Sequence, residues 1–139
     1  MLAYDYEHTV GLEETNLVGN VYFARYVSWQ GRCRELFLRD HAPEILDELA
    51  RDLRLVTTRV SCDYYAELYA LDRVVVRMTL ARITQSRVAM RFEYLRGGEL
   101  AARGEQEIAC LRSRAGEYVT APVPEPLRAA LAPYAEPAA

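Results

Sequence analysis

The sequence predicts an α+β domain in which a curved five-stranded antiparallel sheet wraps one long helix. Three observations predict it. Period-two alternation repeats along most of the chain, one extended helical stretch lies near its start, and short turn signals separate the later strands. With 139 residues, 51% of them hydrophobic, the chain is long enough for one sizeable core and reads as a single domain over 1–139.

The first strand is expected from Leu2 to Val10. Leu2, Tyr4, Tyr6, His8 and Val10 share one face, and Ala3, Asp5, Glu7 and Thr9 the other, the pattern of a half-buried strand. A polar loop with two glycines, Gly11 and Gly19, follows. The long helix is expected from Val21 to about Asp40, interrupted by no Gly or Pro except Gly31. Val27, Cys33, Leu36 and Phe37 recur there at helical spacing, with Trp29 and Leu38 widening the apolar arc. A second helix, Pro43 to Leu53, opens with proline and an early acid.

Alternation then resumes. Val56, Val60, Cys62 and Tyr64 share one side of a strand over Val56 to Ala66. Val74, Val76, Met78 and Leu80 mark the next, between Arg73 and Ile83, and Val88, Met90, Phe92 and Tyr94 the one after, between Arg87 and Tyr94. A last strand is expected from Leu100 to Arg112. Leu71-Asp72, Gln85-Ser86 and Gly97-Gly98 are the turn signals, and connections this short favour a meander of antiparallel neighbours. The proline-rich tail is read as a short helix, Glu125 to Leu131, in an end loosely ordered from about residue 121. One helix wrapped by such a sheet is the arrangement called the hotdog fold. Its sheet has open edges, and pairing edges between chains covers them, so a homodimer is expected, with a tetramer as a dimer of dimers.

Composition bounds the function. Seventeen basic residues against 20 acidic give a net charge of −3, which excludes binding of nucleic acid through bulk positive charge. Every basic residue is arginine, so lysine Schiff-base catalysis is excluded, and the lysine-free, alanine-rich usage reads as that of a GC-rich genome. Cys33, Cys62 and Cys110 are odd in number and widely spaced, which argues against a disulfide scaffold or zinc site and fits a reducing cytosol. With His8 and His41 the only histidines, a metal cage is not expected, nor any resident cofactor. The first residues lack the pattern of a signal peptide, and no window approaches a membrane span; the expectations are a cytoplasmic protein with no membrane partner.

Chemistry concentrates in the loop from Val10 to Asn20, which runs into a helix N-terminus. Such a terminus presents unpaired N–H groups and partial positive charge, the makings of an oxyanion hole. A plainer reading is that Thr15, Asn16 and Asn20 cap the helix and fill a turn. The spacing leaves both open.

The segment Asn16 to Arg34 resembles the hotdog thioesterase signature, a polar glycine-containing loop, an aromatic-rich helix start and a later arginine. Glu13-Glu14-Thr15-Asn16-Leu17-Val18-Gly19-Asn20-Val21-Tyr22, Trp29-Gln30-Gly31-Arg32-Cys33-Arg34-Glu35 and His41-Ala42-Pro43-Glu44-Ile45-Leu46 look like the acyl carrier protein thioesterases of enediyne biosynthesis, within the 4-hydroxybenzoyl-CoA thioesterase-like superfamily. Cys62-Asp63-Tyr64-Tyr65-Ala66-Glu67-Leu68 and Ile108-Ala109-Cys110 also fit. The resemblance covers nearly the whole chain and weakens after about Arg114.

It implies a thioesterase working beside an iterative polyketide synthase. The enzyme would hydrolyse the thioester joining a polyene chain to the phosphopantetheine arm of the carrier domain, and a released β-keto acid can then lose CO2. Most hotdog thioesterases keep a carboxylate in this loop or on this helix. Here the loop position is Asn16 and the helix position is Gly31. An amide can orient water or bond a thioester but takes up no proton at neutral pH. The enediyne group shares this absence and relies on an Asn and an Arg, which map to Asn16 and Arg34. Arg34 shares a helix face with Gln30 and Gly31, and Gly31 leaves room beside it. The alternatives for Arg34 are a pairing with Asp5, Glu7 or Glu35, or a solvated face.

Backbone N–H groups of Phe23 and Ala24 are candidates for a second carbonyl contact, and Gly19, Tyr26, Gln30 and Gly31 for substrate contacts. Tyr64, Tyr65 and Phe92, with Met78 and Met90, are candidate walls of a polyene tunnel and are equally candidate core. Arg82 and Arg87 flank a turn and are candidates for the phosphopantetheine phosphate or an acidic carrier domain. His8 and His41 read as structural, Cys33 and Cys110 as small core residues, and Glu13 and Glu14 as solvated loop acids. Two other readings stand beside the thioesterase. One is a non-catalytic hotdog module that binds or shields the polyene. The other is a dehydratase, which needs a His with a carboxylate, and His8 lies outside the loop and helix positions.

Overall fold

The computed structural model describes residues 1–137. In chain order it contains β1 (Tyr4–Thr9), α1 (Phe23–His41), α2 (Pro43–Leu49), β2 (Leu53–Tyr64), β3 (Arg73–Ile83), β4 (Arg87–Arg96), β5 (Glu99–Arg114), β6 (Glu117–Thr120) and α3 (Glu125–Leu131). Every strand pairing is antiparallel, and the sheet order is β1-β3-β4-β5-β2, with β6 beside β5. The sheet carries α1 on its buried face: Tyr26, Trp29, Cys33 and Phe37, spaced three or four apart, pack on Val76, Met78, Phe92, Tyr94 and Ile108. Each large side chain removed from water in this way contributes about 1.5–3 kcal/mol. The Tyr94 hydroxyl donates to the Tyr26 carbonyl at 2.7 Å, so the deepest tyrosine is satisfied.

The structure departs from the sequence expectations in five places. The later strands are not a simple meander. Only β3, β4 and β5 follow one another; β2 lies at the far edge, against β5. The Leu71-Asp72 turn is the reason. It closes on the end of β1, with Leu71 N–H donating to Val10 O at 2.8 Å and Val10 N–H to Asp72 O at 2.9 Å, so β3 pairs with β1 and not β2.

The second helix ends at Leu49 and β2 begins at Leu53, because buried Leu53 takes its place opposite Arg112. A bulge between Thr57 and Arg59 then shifts the phase of β2. Val56 falls opposite half-exposed Ala109, while Val60, Cys62 and Tyr64 fall opposite buried Gln106, Gly104 and Ala102. The four apolar positions that look equivalent in sequence thus lie on two faces.

A sixth strand extends the sheet. Ala115 and Gly116 both adopt positive φ, 51° and 82°, the geometry of a tight hairpin, and return the chain as β6 along β5. All four β6 residues are exposed, so it carries no alternation to read. Finally, α3 forms where expected, but the tail around it is packed. Val123, Leu127, Leu131 and Tyr134 are buried, Val123 N–H donates to Gln85 O at 2.7 Å, and Glu136 is held by Thr79 and Arg91.

Candidate active site

Glu14 organises the loop between β1 and α1. Its Oε1 accepts the Gly11 N–H at 2.9 Å and His8 Nε2 at 2.7 Å; its Oε2 accepts Trp29 Nε1 at 2.7 Å. One side chain therefore ties the loop to β1 and α1 together. Desolvation raises the Glu14 pKa, but the hydrogen bonds from Gly11, Trp29 and His8 outweigh it, so the carboxyl lies below its ordinary value. Glu14 is thus a largely buried anchor, not a solvated loop acid. With Nε2 donating to Glu14, His8 Nδ1 accepts the Tyr6 hydroxyl at 2.8 Å. This pair is the His-carboxylate couple a dehydratase would need, yet both ring nitrogens are engaged and the carboxylate holds three donors.

No side chain caps α1, whose N-cap is Tyr22. Thr15 Oγ1 donates to Leu12 O at 2.7 Å, and Asn16 Oδ1 accepts the Val18 N–H at 3.1 Å, so the capping reading falls while turn-filling holds for Asn16. Gly19, at φ +94°, closes that turn, and its N–H donates to Asn16 O at 2.9 Å. The turn uses Asn16 Oδ1; its Nδ2 has no partner among the described residues. Asn20 Oδ1 is buried without a hydrogen-bond partner among the described residues.

Asn16 and Asn20 line a cavity of about 370 Å³, with Phe23 and Tyr26 from α1 and Tyr64 and Tyr65 from the end of β2. The Tyr64 hydroxyl donates to Phe23 O at 2.8 Å, and Tyr26 and Tyr64 stack edge to face with centroids 4.8 Å apart. Burial pushes the Tyr26 pKa up to about 12 and raises that of Tyr64, so both keep their protons at neutral pH. At the helix start, backbone carbonyls accept Tyr22 and Arg25 N–H, whereas none among the described residues accepts Phe23 or Ala24 N–H. The cavity thus combines amides and an aromatic wall with Phe23, the first residue of α1. Glu67 also lines it, a carboxylate that no sequence spacing singled out.

Arg34 stands apart. It lies eleven residues along α1 from Phe23, roughly 16 Å at 1.5 Å per residue. It is half-buried, and Nη1 donates to Gln106 Oε1 at 2.6 Å. Burial lowers its pKa. None of the expected acidic partners holds it: Asp5 binds Arg77 at 2.9 Å, Glu35 lies 4.0 Å from Arg32, and no carboxylate among the described residues comes within 4.0 Å of Arg34. Gln30 donates to Ser61 O at 3.1 Å, and its Oε1 is buried without a partner among the described residues. A Cβ placed on Gly31 meets nothing within 4 Å, so the room beside Arg34 is real. Gly104 is the reverse case. A Cβ there would sit 2.2 Å from Gln30 Nε2 and 2.6 Å from Ser61 O. Gly104→Ala should cost about 1–3 kcal/mol in urea unfolding, because backbone must move.

Other candidates fall outside the site. Phe92, Met78 and Met90 are buried in the core, away from the residues that line this cavity. Arg82 is paired with Glu105 and Arg87 with Glu107, so neither is a free cation for a phosphate. Burial pushes the thiol pKa of Cys33 up to about 12 and those of Cys62 and Cys110 up to about 11, which leaves no thiolate nucleophile. Among the described residues no cluster of three or more His, Cys, Asp or Glu could hold a metal, and no helix is long and apolar enough to cross a membrane.

Comparison with known proteins agrees with this fold. The family described as the Thioesterase-like superfamily matches residues 10–131. The Dynemicin thioesterase, whose crystal structures reveal polyene binding, shares 48% identity with a TM-score of 0.94, over 98% of this chain and 99% of that one. A 1,4-dihydroxy-2-naphthoyl-CoA hydrolase from Synechocystis sp. is 25% identical over 94% of this chain and 96% of its own length. The crystal structure of a 1,4-dihydroxy-2-naphthoyl-CoA thioesterase from Synechocystis has a TM-score of 0.81 at 24% identity, covering 93% and 95% of the two chains, and supports the shared fold. With its curled antiparallel sheet, enclosed helix and matching sequence, the chain belongs to the Thioesterase-like superfamily and is a hotdog-fold thioester hydrolase.

Proposed function

We propose that this thioesterase hydrolyses a polyene β-ketoacyl thioester held on the phosphopantetheine arm of the acyl carrier domain of an iterative enediyne polyketide synthase. The observation that carries the reading is the aromatic cavity lined by Asn16, Phe23, Tyr26, Tyr64 and Tyr65, at the helix start whose Phe23 and Ala24 N–H groups have no carbonyl partner among the described residues. Likeness to the Dynemicin thioesterase supports the polyene. The thioester carbonyl oxygen lies toward the helix N–H groups and Asn16 Nδ2. Water attacks the carbonyl carbon, the carbon–sulfur bond breaks, and the pantetheine thiol leaves with a proton. Arg34 is the cation suited to the developing oxyanion, and when the acid is a β-keto acid, loss of CO2 leaves its electron pair on an enolate that the same cation holds. Asn16 acts as a donor and orienter, since an amide takes no proton.

In one chain Arg34 lies too far along α1 to share the cavity with Asn16. A homodimer resolves this. The outer edge of β2 is unpaired, and Val56, Val60, Tyr64 and Tyr65 beside it are exposed. Pairing two copies along β2 covers these residues, and in this reading Arg34 of one copy completes the cavity of the other. A further pairing of dimers is compatible with the remaining sheet surface.

A non-catalytic polyene-binding module is the second reading, favoured by the absence of a carboxylate at Asn16 and Gly31. Single turnover of a polyene-acylated carrier domain separates the two. Free acid, or its decarboxylated ketone, should appear well above the spontaneous rate, and Asn16→Ala should slow it by about 10²- to 10³-fold, the worth of one oriented hydrogen bond at a developing oxyanion. Release at the spontaneous rate from wild type would favour the binding module.

A further inference from the structure

A half-buried guanidinium without a carboxylate partner is an anomaly. Desolvating a cation is costly, and proteins usually offset the cost with an anion. Arg34, on α1, has no carboxylate oxygen within 4.0 Å among the described residues, while most arginines of the sheet do: Arg77, Arg82, Arg87, Arg91, Arg96, Arg103 and Arg112 each pair with Asp or Glu. What Arg34 meets instead is an amide. Gln106 lies on the buried face of β5, is 4% exposed, and its Oε1 accepts Arg34 Nη1 at 2.6 Å. One turn earlier on the same helix face is a second amide, fully buried Gln30, fixed to Ser61 O and given space by Gly104. Glutamate has the same shape as glutamine, so a carboxylate would fit at 106 and would pair the cation. The chain places a neutral acceptor there.

We propose that Gln106 is a positioning residue that fixes the Arg34 guanidinium without neutralising it, so that the full positive charge remains for the anionic oxygen of the substrate or product. This rests on the thioesterase reading above for the identity of that oxygen. Orientation comes from the single 2.6 Å hydrogen bond, which leaves Nε and Nη2 free of protein partners among the described residues. Gly31 keeps the flank of the helix beside Arg34 open for a ligand. A carboxylate at 106 would keep the orientation and cancel the charge.

The test is Gln106→Glu, with Gln106→Met as the companion that removes the hydrogen bond without adding charge. For Gln106→Glu the expected result is a fall in single-turnover rate of about 100-fold with an unchanged or raised Tm. Cancelling the charge that faces a developing oxyanion slows the reaction that much, while the fold acquires an ion pair. Gln106→Met should lose about 10-fold, with the loss in kcat and not in KM. A merely structural role predicts activity and Tm falling together. A second arm needs no turnover: binding of a conjugated polyenoic acid compared with its methyl ester. Wild type should prefer the acid by about 10-fold, and Gln106→Glu should lose that preference. An inactive wild type that still prefers the acid, with no such preference in Gln106→Glu, would retire the hydrolase reading and keep this one. Full activity in Gln106→Glu, or an equal preference for acid and ester in wild type, overturns it.

Discussion

Replacing Arg34 by alanine should slow release of acid from a polyene-acylated carrier domain by two to three orders of magnitude, with little loss of stability. Removing one preorganised donor to a developing oxyanion costs about 3–4 kcal/mol of barrier, or about 10²–10³ in rate. The stability half has a different origin. Wild type carries the desolvation of this guanidinium with one neutral hydrogen bond, 2.6 Å to Gln106, and no ion pair. Alanine removes that burden and leaves Gln106 Oε1 unpartnered, two changes of similar size and opposite sign. Tm should therefore move by only a few degrees while activity collapses. Arg34→Lys should recover part of the rate, since it keeps charge but loses the planar fork. A variant that is active, or one that unfolds, contradicts the assignment.

Glu14→Ala should be the most destabilising single change in the loop, by about 3–5 kcal/mol in chemical denaturation. Three donors lose their acceptor at once: Gly11 N–H, Trp29 Nε1 and His8 Nε2. Each buried donor left unpaired costs about 1–3 kcal/mol. The pH dependence has a definite sign. The folded carboxyl titrates below the ordinary glutamate value of 4.5, so its stabilisation is fully present above that value and is lost as pH falls through the folded pKa. Wild type should lose more stability on acidification than Glu14→Gln, which keeps the shape and has no carboxylate to protonate. Equal acid sensitivity in the two would show that Glu14 carries no such linkage.

Much of this was legible in residues. The alternation of Tyr4, Tyr6 and His8, of Val74, Val76 and Met78, and of Val88, Met90 and Phe92 reports burial of one face, and those strands form with that phase. What the pattern could not carry was pairing. Leu71-Asp72 reads as a hairpin turn, but its hydrogen bonds go to Val10, a contact set by where α1 places the end of β1. The bulge at Thr57–Arg59 changes the face of β2 through backbone register, which leaves no trace in residue type. In the site, Asn16, Phe23, Tyr26, Tyr64 and Tyr65 do converge on one cavity. Gln106 and Glu67 were missed because each comes from a distant strand or connection. A Gln in an alternating strand is unremarkable until its partner is known to be a cation. Arg82 and Arg87 looked free because β4 and β5 bring Glu105 and Glu107 beside them only in three dimensions.

The central claim is that hydrolysis proceeds without a carboxylate taking the proton, and the pH dependence of single-turnover release tests it most directly. Glu67 is the carboxylate that lines the cavity. The account predicts a wild-type profile between about pH 4 and 8 with no carboxylate inflection, and the same profile shape in Glu67→Gln. An acid limb in wild type that disappears in Glu67→Gln would contradict it and make Glu67 the base.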